Sequence, residues 1–135
     1  MPAITKTKGD LGQAMVMADT LKRGYKVALP LGEDRRYDLI VLKGARLLRI
    51  QCKYTESTRG VIKVRCETHD GRSYYRYKPG DLDYIAVYDK ITDKCYYISC
   101  TYLGEGGRGS LSLRVNEARN GQKKKIYRAT DFTEF

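Results

Sequence analysis

Two apolar runs separated by a tight polar break constrain this chain more than any other feature. Tyr37 to Leu42 ends in Leu-Ile-Val-Leu, which is strand length rather than helix length. Lys43-Gly44-Ala45-Arg46 interrupts it, and a glycine in a short polar break between apolar runs is a hairpin signal. Leu47 to Tyr54 then returns as a second run. Strands that are apolar almost throughout belong in a sheet covered on both faces. The chain is therefore expected to be built around a covered sheet with this hairpin inside it.

The flanking elements extend that plan. Lys8 to Arg23 reads as an amphipathic helix, with Leu11, Ala14, Met15, Ala18 and Leu21 at helical spacing. Gly24 follows where a left-handed C-terminal residue is wanted. Tyr25 to Leu29 reads as a strand closed by Pro30. Val61 to Glu67 alternates, with Lys63 and Arg65 on one face and Ile62, Val64 and Cys66 on the other. His69-Asp70-Gly71 is a turn signal, and Arg72 to Lys78 returns from it. Tyr84 to Tyr88 and Cys95 to Tyr102 are two further strands, and Gly104 to Gly109 is a loop. The order predicts an α+β fold with a central mixed sheet, an N-terminal helix and an added basic β-hairpin, in one domain over residues 1–135.

Charge narrows the partner. Lys and Arg outnumber Asp and Glu by 26 to 16, a net +10, which favours a polyanion such as nucleic acid. No apolar run approaches the ~20 residues of a membrane helix, and Met1 to Asp10 lacks an apolar signal core, so an intracellular, membrane-free protein is expected. The cysteines Cys52, Cys66, Cys95 and Cys100 form no CxxC pair and His69 is the sole histidine, which disfavours a zinc site. They read as small buried hydrophobes, with Cys95 and Cys100 as an alternative strand-end pair.

Chemistry concentrates on the hairpin. Asp38 sits at the mouth of its first strand. On the second, Gln51 and Lys53 are two apart and share a face, while Leu48 and Ile50 point the other way into the expected core. Pairing through Lys43–Arg46 brings Asp38 beside them. A carboxylate, the Gln51 amide oxygen and the Cys52 backbone carbonyl are hard oxygen donors of the kind magnesium accepts. Lys53 can orient or deprotonate water, or stabilise charge on phosphate.

Acid on one strand and x-x-Lys on the next resembles the PD-(D/E)XK nuclease superfamily, and in particular its branch of group I intron-encoded homing endonucleases. In that branch glutamine replaces the middle acid, as in Gln51-Cys52-Lys53. Further stretches look similar: Arg23-Gly24-Tyr25-Lys26-Val27, Pro30-Leu31-Gly32, Arg36-Tyr37-Asp38-Leu39-Ile40-Val41, Asp83-Tyr84-Ile85-Ala86-Val87-Tyr88, Leu113-Arg114-Val115 and Asn120-Gly121-Gln122. The resemblance runs from about Asp10 to Phe132 and implies a restriction-endonuclease-like core, divalent metal (Mg2+ or Mn2+), duplex DNA as substrate, and a homodimer or homotetramer. It also exposes a departure. The family usually carries a glutamate on the first helix, and Gln13 stands there. Gln13 forms a stripe with Met17 and Leu21 and is expected to face the sheet. Three readings stay open: an enzyme that works with glutamine, an acid such as Asp10 or Glu33 in its place, or a replacement that removed the charge and left a weakened, DNA-binding form.

The basic hairpin is the expected DNA reader. Lys63, Arg65, Arg72, Arg76 and Lys78 lie on one face with Tyr74, and a two-stranded ribbon fits the major groove. Arg59, Arg108, Arg119 and Lys123-Lys124-Lys125 are expected at phosphates. A subunit interface is expected on the exposed face of the Tyr84 to Tyr102 strands or in the C-terminal segment. A structure-selective nuclease such as a Holliday junction resolvase is the main alternative on the same fold.

Overall fold

The computed structural model describes residues 4–32, 36–69, 73–116 and 126–135. Helix α1 spans Ile4–Lys22, starting one turn earlier than its apolar spacing predicts. It ends as expected. Gly24 adopts φ +86°, its N–H donates to Leu21, and the Tyr25 N–H donates to Thr20, so the last turn's carbonyls find partners. The buried stripe differs from expectation: Gly12, Val16 and Thr20 face the sheet, Gln13 and Met17 flank them half-buried, and Leu11 and Leu21 are exposed. The cause is close approach. A Cβ on Gly12 would stand 3.0 Å from the Lys53 carbonyl oxygen and 3.2 Å from the Tyr54 Cβ, so the helix settles on its glycine rather than on its leucines.

Five strands follow in one sheet: β1 (Lys26–Ala28), β2 (Leu39–Lys43), β3 (Arg46–Thr55), β7 (Tyr84–Asp89) and β8 (Lys94–Ser99), in that spatial order. The β2–β3 hairpin closes with Lys43 opposite Arg46 and with Gly44 at φ +62°. The β3–β7 pair is parallel and the others antiparallel, so the sheet is mixed as predicted. A parallel pair needs a long crossover. Here it carries β4 (Val61–Arg65), β5 (Glu67–His69) and β6 (Tyr74–Arg76) instead of a helix.

Both faces of the sheet are covered. On one, α1 supplies Val16 against Leu39, Val41, Leu48, Ile50, Cys52 and Tyr97. On the other, Ile85, Val87, Tyr96 and Ile98 meet Ile62, Val64, Leu111 and Leu113. That second layer is a three-stranded sheet of β4, β9 (Ser110–Arg114) and β10 (Tyr127–Arg128). It corrects the expected hairpin. The alternation of Ile62, Val64 and Cys66 toward the core holds, but β4 pairs with β9, and only Glu67–His69 pairs with Tyr74–Arg76. Tyr96, Tyr97 and Ile98 are buried, as are Ile85 to Asp89, so the proposed exposed face for subunit contact is interior. Cys100 to Tyr102 form a 3-10 turn rather than continuing β8. The cysteines are free thiols, with Cys52, Cys66 and Cys95 buried and Cys100 half-buried. Among the described residues, no helix is long and apolar enough to cross a membrane.

Candidate active site

The hairpin brings Asp38 to its partners through backbone bonds. The Asp38 N–H donates to the Ile50 carbonyl at 2.8 Å, and Asp38 Oδ2 accepts the Cys52 N–H at 2.9 Å. The carboxylate thus replaces the next rung of the β2–β3 ladder. Along a strand, a residue's N–H and C=O lie on the same edge. The Cys52 carbonyl therefore points toward Asp38, away from β7. Cys52 itself contributes backbone only: burial and the Asp38 charge push its thiol well up.

Gln51 and Lys53 project from β3 to the face opposite α1, each half-buried, while Leu48, Ile50 and Cys52 pack beneath the helix. Lys53 Nζ lies 3.5 Å from the Tyr77 hydroxyl and 5.2 Å from the centre of its ring. Burial lowers the Lys53 ammonium from its ordinary value; Asp38 pulls it back up and Arg65 pushes it down again. Burial likewise raises the Asp38 carboxyl, opposed by the Cys52 N–H and by Lys53. Each charge is short of solvent, and each is offset in part by the other.

Tyr77 is a residue that sequence reasoning missed. It is buried, its N–H donates to Cys66, and its hydroxyl is pushed up to about 12 by burial. The hydroxyl stays protonated at neutral pH. One signal was present: the alternation that sets Arg72, Tyr74, Arg76 and Lys78 on one face sets Tyr75 and Tyr77 on the other, but nothing local shows which charge Tyr77 meets.

Gln13 occupies the flank of α1 next to Gly12, the residue that packs on the Lys53 carbonyl. Asp10 is exposed on the same helix, and Glu33 lies outside the described residues. Among the described residues, no three His, Cys, Asp or Glu side chains cluster as a metal site would. The Asp38 constellation offers one carboxylate, an amide oxygen and a backbone carbonyl. These are hard oxygens that suit Mg2+ or Mn2+ with several waters retained, at less negative charge than a two-carboxylate site.

The expected DNA-contacting residues divide. Lys63 and Arg65 are exposed on β4, and Arg59 is exposed at φ +53° in the turn before it. Tyr74 is exposed on β6, its ring 4.4 Å from that of His69. Arg76 is exposed but bonded to Glu67 at 3.4 Å, and Lys78 is exposed beside Tyr75. The Arg108 guanidinium turns inward to the Ser110 and Tyr102 carbonyls. Arg72, Arg119, Lys123, Lys124 and Lys125 lie outside the described residues.

Comparisons with known proteins bear on the fold and the family. A solved bacterial homing endonuclease, I-Ssp6803I, superposes with a TM-score of 0.69 at 25% identity, over 96% of this chain and 88% of that one. No curated protein matches the sequence. A family model described as PD-(D/E)XK endonuclease matches residues 3–135. With that match over nearly its whole length, the chain belongs to the PD-(D/E)XK endonuclease family.

Proposed function

We propose that this chain is a site-specific endonuclease of the homing type, hydrolysing phosphodiester bonds of duplex DNA with Mg2+ or Mn2+. The observation that carries it is the convergence of Asp38, Gln51 and Lys53 at the β2–β3 end, with Asp38 bonded to the backbone between the other two. Asp38, the Gln51 amide and the Cys52 carbonyl would hold the metal. A divalent ion bound there would polarise the phosphodiester and make water a better nucleophile.

The chain's own residues supply the rest. Lys53, its proton affinity lowered by burial, can take a proton from the attacking water or hold positive charge against the phosphate. The Tyr77 ring and hydroxyl hold that nitrogen, on which the Asp38 charge acts. Exposed Lys63, Arg65, Tyr74, Arg76, Lys78 and Arg59 offer positive charge and an aromatic face that suit a duplex backbone. The Lys123–Lys124 cluster and Arg72 add charge to the same chain. A double-strand cut by one centre per chain needs two copies, so a homodimer or homotetramer is part of the reading. The group I intron association rests on the same likeness.

A second reading has its own support. Gln13 is neutral where family members usually carry glutamate, which favours a form that binds DNA and cuts weakly. Selection of cleaved and of bound sites from a random duplex library in Mg2+, run beside a four-way junction substrate, tests both. A long, near-palindromic consensus supports the homing reading, cleavage governed by junction shape supports a resolvase, and binding without cleavage supports the impaired form.

A further inference from the structure

A second cluster of charge stands beside the centre. Arg36 precedes Asp38 by two residues, and its guanidinium carbon lies 3.6 Å from the centre of the Tyr75 ring. Lys78 Nζ lies 5.9 Å from the same ring. The ring itself is fixed. The Tyr75 hydroxyl donates to Asp81 Oδ2 at 2.8 Å, and that oxygen also accepts the Lys78 N–H at 2.9 Å. Arg36 and Lys78 are exposed.

The two centres are neighbours of matched construction. The Tyr75 and Tyr77 rings meet edge to face, 6.4 Å apart. One carries Arg36 and the other carries Lys53. The positive charge of Arg36 is felt at the Tyr77 hydroxyl, which it lowers. An aromatic face steadies a guanidinium without using its N–H donors, and those donors match phosphate oxygens in a planar fork. The ring spacing is on the scale of neighbouring phosphates of one strand, which advance about 3.4 Å along the duplex axis and further around it.

We propose that Arg36 and Lys78, held on the Tyr75 ring, bind a DNA backbone phosphate adjacent to the one that faces Asp38 and Lys53. The proposal rests on the nuclease reading and adds to it a residue, Arg36, that lies on the catalytic strand's approach rather than in the expected basic hairpin. The contact is sequence-independent, so it positions the strand and does not read bases.

The test measures binding alone. Random-sequence duplex DNA is titrated with the full chain in EDTA, by fluorescence anisotropy, across a salt series. Arg36→Gln is compared with Lys78→Gln and with Lys26→Gln, which removes one exposed charge on β1, outside the cluster. Each cluster variant is expected to weaken binding several-fold at low salt and to reduce the slope of log affinity against log salt by about 0.9, the loss of one phosphate. Arg36→Lys keeps the charge and is expected to restore most of the slope. Its melting curve shows that the loop is intact if Arg36→Gln proves unstable. Arg36→Gln and Lys78→Gln that match Lys26→Gln, in a wild type that binds with a steep salt dependence, overturn the proposal while leaving the nuclease reading in place. A wild type with no salt-dependent DNA binding removes both.

Discussion

Two aspartates on strands that flank β3 show how this fold separates structure from chemistry. Asp89, at the end of β7, is fully buried and receives the Ser57 N–H at 2.7 Å, the Ser57 hydroxyl at 2.9 Å, the Thr92 N–H at 3.1 Å and the Thr92 hydroxyl at 2.8 Å. Its charge is fully supplied with donors, and it ties two turns to the sheet. Asp38, at the start of β2, receives the Cys52 N–H, and burial raises its carboxyl. A buried carboxylate rich in donors is a finished structural unit; one poor in donors favours the arrival of a cation. At this one end of the sheet, the donor count around each acid, and not its burial alone, separates the chemical carboxylate from the structural one.

That contrast can be broken or sharpened in order of effect. Asp38→Asn is expected to reduce metal-dependent DNA cleavage by about a thousandfold, the scale of losing a group that acts in the transition state. The metal-free protein should melt no lower, and a few degrees higher once the pH is above the raised Asp38 value. The sign follows from the raised carboxyl: the fold disfavours the ionised form, so ionisation costs stability as pH rises through the folded value, and asparagine avoids that cost. A clear fall in melting temperature would put Asp38 in the same structural class as Asp89. Asp89→Ala should show the reverse pattern. It strands the Ser57 and Thr92 donors and is expected to cost about 3 kcal/mol in denaturant titrations, while the folded fraction keeps its active-site geometry. Asp89→Ala that melts like wild type would end the comparison from the other side.

Gln13→Glu tests the charge deficit directly. A carboxylate at position 13, next to the glycine that packs on the Lys53 carbonyl, should lower the Mg2+ concentration for half-maximal cleavage by about tenfold, because hard dications favour anionic oxygen. An unchanged metal requirement would place Gln13 outside the metal's reach. The smallest effect concerns the thiols. Burial raises Cys66 to about 11 and Cys95 to about 12, and raises Cys52 well above its ordinary value. Half-buried Cys100 should therefore be alkylated first in the native protein, at a rate rising about tenfold per pH unit below its raised value. Early modification of Cys52 would show that the floor of the Asp38 site opens to solvent.

Much of this site was legible because it is local. Gly24 and Gly44 sit where left-handed backbone is required, and they fix the helix end and the hairpin. Once the hairpin is fixed, period-two alternation places Gln51 with Lys53 and brings Asp38 alongside. What escaped is non-local. The helix rests on Gly12, whose value lies in the Lys53 backbone it approaches, while the exposed Leu11 and Leu21 mimic an apolar stripe. The partner of β4 lies across the chain at Ser110–Arg114, and a turn signal at 69–71 offered a nearer one. Arg36 and Tyr77 depend on contacts between the Asp38 approach and β6, two segments that no periodicity connects. The main-chain frame of the centre was thus readable, and the aromatic side chains that hold its cations were not.

We propose that Lys53 acts in a metal-dependent phosphodiesterase centre at the β2–β3 end. Nicking of supercoiled plasmid by wild type and Lys53→Ala, in Mg2+ and in EDTA, tests it most directly. Wild type is expected to nick in Mg2+ and not in EDTA, and Lys53→Ala to lose about a thousandfold in rate with an unchanged melting curve. Equal nicking by wild type and Lys53→Ala, or nicking that persists in EDTA, would contradict it.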